Sequence, residues 1–252
     1  GQPYEDLWGL KNIQAEQAWN AAEGEGITVA VIDTGLDYNH PDIENNVWVN
    51  NDEIPGNSFD DDANGKIDDM QGWDFVNNDD DPLDDHGHGT HVSGIVAATG
   101  NNGLGILGVA YKSKIMRIKA LDNLGNGTSS DIGEALIYAW WTGADIVNNS
   151  WACSSRCPSN PIVAVAVITI QNAGVIAVFA AGNSSDDIVF YSPQNLASFY
   201  TNPKPIVVAA SDHDDEATEY SNFGVLIDVA APGGGPDSLE SNKDILSLKS
   251  ST

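Results

Sequence analysis

The chain has 252 residues, 41% hydrophobic and 19% charged, a balance that supports a sizeable core and excludes disorder over most of its length. Its longest largely apolar run, residues 162–170, is far short of the ~20 residues a bilayer helix needs. Thirty-seven acids against 10 Lys and Arg leave a formal charge of −27, which makes nucleic acid and anionic membrane poor partners.

The chain opens at Gly1 with no methionine and no basic-then-apolar leader. That is the start expected after removal of a signal or pro-segment, or at an arbitrary boundary. Residues 27–33 form an apolar β-rich run that stops at the turn signal Thr34-Gly35. Residues 47–85 then break the rhythm, being long, rich in Asp, Asn and Gly, and without apolar periodicity. Segments like this in compact domains are usually functional or held by a ligand. Between Asp52 and Asp85 stand 13 acids and one base, Lys66, a local charge of −12. Further strand runs follow at 114–120, 146–151, 175–181, 206–211 and 226–230. The clearest helix is 132–142, with Ile132, Ala135, Leu136, Ala139 and Trp140 at helical spacing and a capping box offered by Asp131 and Glu134. Residues 162–173 are ambiguous, because Val and Ile fill them, yet they close on Asn-Ala-Gly like a helix end.

Strand alternating with helix predicts an α/β fold, a doubly wound and mainly parallel sheet with helices on both faces. No repeat or low-complexity linker interrupts it, so residues 1–252 read as one domain with 47–85 inserted in it. Cys153 and Cys157 are too few for a disulfide scaffold or a structural zinc site; a local disulfide is expected if the protein is extracellular.

Three segments carry chemistry. Asp33 ends an apolar strand, at the sheet edge where catalytic groups collect, although an Asp there also serves to cap a turn. His86, His88 and His91 fall within six residues that open an apolar helix. A zinc cluster is one reading, weakened by the missing carboxylate and cysteine ligands. A polar helix cap is another, and a general base oriented by a carboxylate is the third. Asn183 follows the strand Val178-Phe-Ala-Ala-Gly182, where its amide could serve an ordinary turn or donate to a developing oxyanion. The acidic block has internal spacing too. Asp60-x-Asp62-x-Asn64-Gly65-Lys66-x-Asp68-Asp69 places oxygen donors at alternate positions and Gly at the sharp turn, with Lys66 contributing its carbonyl. This is the first half of an EF-hand-type loop, lacking the usual bidentate Glu, since position twelve is Gln71.

Together, Val-Ile-Asp33-Thr-Gly with His40-Pro41-Asp42, His88-Gly-Thr-His-Val-Ser-Gly and Ala-Ala-Gly-Asn183 resemble the subtilisin-like serine proteases, the subtilases. Order and separation agree from Trp19 to Ala231-Pro232-Gly233. The resemblance implies that Asp33 orients His88, that His88 takes the proton of a serine hydroxyl, and that Asn183 donates to the oxyanion. It implies a cleft edged by Asn126, Gly127 and Thr128 and by Ser150, Trp151 and Ala152, binding extended peptide by strand addition. It implies two further calcium sites, for one to three ions in all. One uses Asp74, Asn77, Asp79 and the carbonyls of Asp81 and Leu83. The other uses Gln2, Asp42, Asn102 and the carbonyls of Thr99, Leu104 and Ile106, with Asn101 the rival to Asn102. A secreted or extracellular location, and a peptide or protein substrate, a pro-segment or an inhibitor as partner, follow from the same resemblance.

The family's nucleophile motif, Gly-Thr-Ser-Met-Ala-x-Pro, is not among the 252 residues. Gly127-Thr128-Ser129-Ser130 imitates its start, but Asp131 and Ile132 follow and the segment matches the cleft edge. The expectation is a subtilase domain incomplete at its C-terminus: a serine endopeptidase fragment whose partner segment carries the Ser. The rivals are a serine-less, calcium-stabilised peptide-binding module and a calcium-binding structural domain.

Overall fold

The computed structural model describes residues 4–199, 204–235 and 244–251. Strand β1 (Thr28–Asp33) sits at its centre because Val29, Ala30, Val31 and Ile32 are apolar on both faces, and none is more than 5% exposed. Such a strand must be covered twice, as parallel-sheet strands are. The other strands are β2 (Gly72–Asp74), β3 (Lys114–Lys119), β4 (Ile146–Asn149), β5 (Ile176–Ala180), β6 (Ile206–Ser211) and β7 (Val229–Pro232). All pair in parallel, in the order β2-β3-β1-β4-β5-β6-β7.

The helices are α1 (Trp8–Asn12), α2 (Ala15–Ala18), α3 (His88–Ala97), α4 (Ser129–Trp141) and α5 (Pro161–Asn172). Ala30 and Ile32 pack towards α4 and α5, while Val29 and Val31 pack towards α3, Leu10 of α1 and Leu248. The doubly wound, mainly parallel α/β architecture read from the sequence is therefore present. Leaving β1, the sheet order runs to β3 on one side and to β4 on the other. This makes the carboxyl end of β1 a switch point, the crevice in which open α/β sheets seat their ligands.

Several local expectations are corrected. The segment 47–85 is not wholly irregular: β2 lies within it, paired with β3, and Trp73 and Phe75 enter the core. Helix α4 begins earlier than 132, because the Thr128 side chain caps it by accepting from Asp131 N at 3.2 Å, in place of an Asp131–Glu134 box. The ambiguous run 162–173 is helical, started by the Asn160 side chain and Pro161 at its first turn. Tertiary packing against α4 overrides its β-branched content. The last strand run, read at 226–230, pairs at 229–232 instead.

The sheet is unequally covered. Val147, Ala177, Phe179 and Val207 are fully buried on one face. On the other face of the same strands, Ile176 is 47% and Val229 50% exposed, with Val178, Ala180, Val208 and Ala210 half-buried.

Candidate active site

Asp33 is the last residue of β1 and is wholly buried. Its Oδ1 accepts from Thr34 N at 2.8 Å and lies 2.7 Å from His88 Nδ1, while Oδ2 is buried without a hydrogen-bond partner. His88 is the first residue of α3 and stays 43% exposed at its side chain. Two glycines allow this approach. Gly35 has φ +107°, and a Cβ on Gly89 would strike the Gly35 carbonyl at 2.1 Å. With Nδ1 committed to Asp33, Nε2 is the imidazole nitrogen left for chemistry. The hydrogen bond to Asp33, opposed by burial, raises the His88 pKa above the usual 6.5, and the charges of Asp33 and Asp84 add to it. His91, one turn on, is pushed the other way by burial and belongs to the packing against the 244–251 segment. His86 is exposed, with its ring centroid 6.3 Å from that of His88. No zinc-type grouping joins the three histidines among the described residues.

His88 and Asn183 line one cleft of about 660 Å³, floored by the half-buried face of β5 and β6. Asn183 is exposed at the carboxyl end of β5, on a turn shaped by Gly182 (φ +98°). Asn222 fixes that turn: Nδ2 donates to Ala181 O at 2.9 Å and Oδ1 accepts from Ser184 N at 3.0 Å and Asp186 N at 3.2 Å. The sequence reading missed Asn222, which lies far along the chain and shows no local pattern. Ser150 lines the same cleft.

An adjoining cleft of about 720 Å³ is lined by Asn126, Gly127, Trp151 and Ala152, with the Cys153–Cys157 disulfide in its wall. Thr128 follows Gly127 at the start of α4, which its hydroxyl caps by accepting from Asp131 N. The Trp151 indole turns inward and donates to Ile32 O at 3.1 Å. It therefore braces the end of β1 as well as lining the cleft.

The acidic segment folds on its own carboxylates. Asp60 accepts from Asn64 N and Gly65 N, and Asp62 from Asn64 N. A further acidic side chain joins them from upstream. Carboxylate oxygens of Glu53, Asp60 and Asp62 lie within 4.8 Å of one another, and Glu53 is only 4% exposed. Burial, with repulsion from Asp69 and Asp62, raises the Glu53 pKa against its bonds from Asp62 N and Asp61 N. Crowded carboxylates of this kind fit a hard divalent cation. Asp68 accepts from Asn57 N and Ser58 N, and Asp69 accepts from Tyr138 Oη, Asn50 Nδ2 and Asn64 Nδ2, the two amides that also donate to Asp62. The Lys66 ammonium lies over the rings of Trp73 and Phe75 and near Glu134.

Of the other expected ligands, Asp74 accepts from Asn77 and pairs through its backbone with Asp79, which accepts from Asp81 N. Leu83 lies further along the same stretch. Asp42, wholly buried, accepts from Asn102 Nδ2 at 2.6 Å and Ile106 N at 2.8 Å, so Asn102 rather than Asn101 faces it. Leu104 N donates to Asn102 Oδ1, and Thr99 N to the Asp42 carbonyl. The Thr99 hydroxyl is buried without a partner, the mark of a polar pocket that fits an additional group. Gln2 lies outside the described residues.

A parallel sheet with a buried Asp and an exposed His at its switch point, and an Asn across the cleft, is the frame of an Asp–His–Ser hydrolase class. The chain belongs to the subtilase family, whose model matches residues 24–252. It is 38% identical over 227 residues to a thermophilic serine proteinase of Bacillus sp. (strain AK1), covering 90% of this chain and 49% of that protein. It is 37% identical over 226 residues to thermitase of Thermoactinomyces vulgaris, covering 90% and 70%. A solved structure described as proteases from Pseudoalteromonas arctica superposes with a TM-score of 0.76 at 28% identity, covering 98% of this chain and 77% of that one. The chain thus spans about half the length of the Bacillus relative. Among the described residues, no helix is long and apolar enough to cross a membrane.

Proposed function

We propose that these residues form the Asp–His half of a secreted serine endopeptidase, in which the nucleophilic serine is supplied by a segment beyond residue 252. The 2.7 Å contact of Asp33 with His88 beside the Asn183 cleft carries this reading. Neutral His88 would accept the serine proton at Nε2 and return it to the leaving amine, with Asp33 stabilising the imidazolium. Asn183 would donate its amide to the tetrahedral oxyanion. Peptide would lie along Asn126-Gly127 and Ser150-Ala152, both outside the regular strands and open to pairing. Support for a docking C-terminal segment comes from the half-bare face of β5–β7. Residues 244–251 also run along α3, where Leu248 packs and Ser251 donates to Asp37. A chain continuing from there would enter the cleft beside His88.

Calcium is part of the proposal. Glu53, Asp60, Asp62, Asn64 and the Lys66 carbonyl would hold one ion; Asp74, Asn77, Asp79 with the Asp81 and Leu83 carbonyls a second. Asp42, Asn102 and the Thr99, Leu104 and Ile106 carbonyls would hold a third. When bound, the metal neutralises carboxylates that otherwise repel one another. Chelation should lower the melting temperature far more than added salt does; equal melting with calcium and with chelator overturns this part.

The test of activity compares residues 1–252 with the same chain extended through the segment that follows. The short form should neither hydrolyse peptide nor react with a serine-directed phosphonylating probe, and the extended form should do both. Labelling of a serine within 1–252, abolished by His88→Ala, would show that the short chain is a complete enzyme. Peptide binding by an extended form that never labels would favour the serine-less binding module.

A further inference from the structure

Asp84 is a wholly buried carboxylate with no part in the proton transfers above. Its Oδ1 accepts from Thr34 Oγ1 at 2.8 Å, Gly87 N at 2.8 Å and His86 N at 3.0 Å. Its Oδ2 accepts from Thr90 Oγ1 at 2.6 Å and Thr90 N at 2.9 Å. The Thr34 hydroxyl that donates to Asp84 also accepts from Gly89 N at 2.9 Å, and the Thr90 hydroxyl accepts from Asp37 N at 2.9 Å. These bonds run between two short pieces of chain. One, Asp33-Thr34, ends β1; the other, residues 86–90, opens α3 and contains His88.

A carboxylate that only capped α3 would need the helix N–H groups alone. Asp84 and Thr34 instead close a bridge, because each grips the residue beside a member of the Asp33–His88 pair. Thr34 is held further by its own N–H to Asp33 Oδ1 and by Lys119 Nζ, 3.1 Å from its carbonyl. We propose that Asp84 is a positioning residue for catalysis, acting through Thr34 and the first turn of α3 to hold Asp33 and His88 at reacting distance. This rests on the reading that the pair serves a serine. Asp84 also contributes charge. Burial pushes its pKa up, but the bonds from Thr90, Gly87 and His86 outweigh burial and keep it ionised. The groups around His88 are then Asp33 from β1, Asp84 and His86 from the preceding loop, and His91 on its own helix. From β3, Lys119 is engaged with the Thr34 carbonyl and Asp85.

Two variants of the full-length protein separate the geometric and charge effects. Asp84→Asn removes the charge and sets an amide NH2 against N–H donors. Thr34→Val keeps the charge and removes only the bridging hydroxyl. Both should remain folded by circular dichroism and lose the low-field proton resonance of the His88–Asp33 hydrogen bond. Both should lower kcat about 10²-fold with KM little changed, as for a misplacement of order 1 Å. The acid limb of the kcat/KM profile should move to lower pH in Asp84→Asn, where the imidazolium loses a neighbouring anion, and stay in Thr34→Val. A folded variant that keeps the resonance and kcat would overturn the proposal and leave Asp84 a helix cap. If Asp84→Asn does not fold, Thr34→Val decides by the same two readouts. The resonance requires no serine, so it reports on Asp84 even if the protein proves not to be a peptidase.

Discussion

The two ends of the sheet differ in a way composition does not announce. Around β1 and β3 both faces are sealed, and Asp33 and His88 meet across a glycine contact that admits no Cβ. Around β5 to β7 one face is sealed by Phe179 and Val207 and the other is open, flooring the cleft with Val178, Ala180 and Val208. An acid–base pair gains from a rigid, fully packed seat, since its geometry must be kept between turnovers. A face that receives another element must stay apolar and uncovered until that element arrives.

The sharpest way to break this contrast is at its chemical centre. In the extended protein, His88→Ala should lower kcat about 10⁶-fold, the size of loss seen for the equivalent residue of subtilisin, because the serine then lacks its base. Asn183→Ala should cost about 10²–10³ in kcat, a range that also comes from subtilisin. Both are read from initial rates on a peptide substrate. The next test concerns packing. Ile32→Ala, at the sealed end, should destabilise by about 2–5 kcal/mol in short and extended chains alike. Val208→Asp should cost about 1 kcal/mol in the short chain, where Val208 is half-buried. In the extended chain it should cost about 2 kcal/mol or more, because the charge would be buried. Denaturant titration of the four proteins checks this, and an equal cost of Val208→Asp in both would refute the docking face.

Smaller effects follow from protonation. His88 has a raised pKa, so its bond to Asp33 adds stability below the usual histidine value of 6.5 and loses it as pH rises through the raised value. Asp33→Asn should therefore lower the melting temperature more at about pH 5 than at about pH 9. The same shift places the acid limb of kcat/KM above 6.5, since the base must be neutral to act. The smallest effect belongs to the partly exposed Arg156–Asp186 pair, where Asp186→Asn should lower the melting midpoint only slightly in a thermal melt.

Much of the sealed end was legible in the sequence, because β1 is a continuous apolar run, α4 carries a helical apolar period, and Asp33 and His88 stand in recognisable motifs at the end of β1 and the start of α3. What escaped reading is held by contacts without a period. Strand β2 has three residues, Gly-Trp-Asp, too few to show alternation, and exists because β3 offers it a partner. Glu53 joins Asp60 and Asp62 only because the intervening chain reverses through Gly56 and Ser58, both at positive φ. Asn222 reaches Ala181 from 41 residues away. The Thr128 cap of α4 likewise shows no period, since it takes a single hydroxyl at the helix start.

The bond between Ser251 and Asp37 joins residues 214 positions apart, and it has a consequence for timing. During synthesis the N-terminal part emerges first and can begin to order while the rest is still being made. Residues 244–251 can pack along α3 only after the residues that precede them have left the ribosome. Contacts of such long separation form late and slowly. A nascent chain would therefore carry its Asp33–His88 pair before residues 244–251 are available to pack along α3.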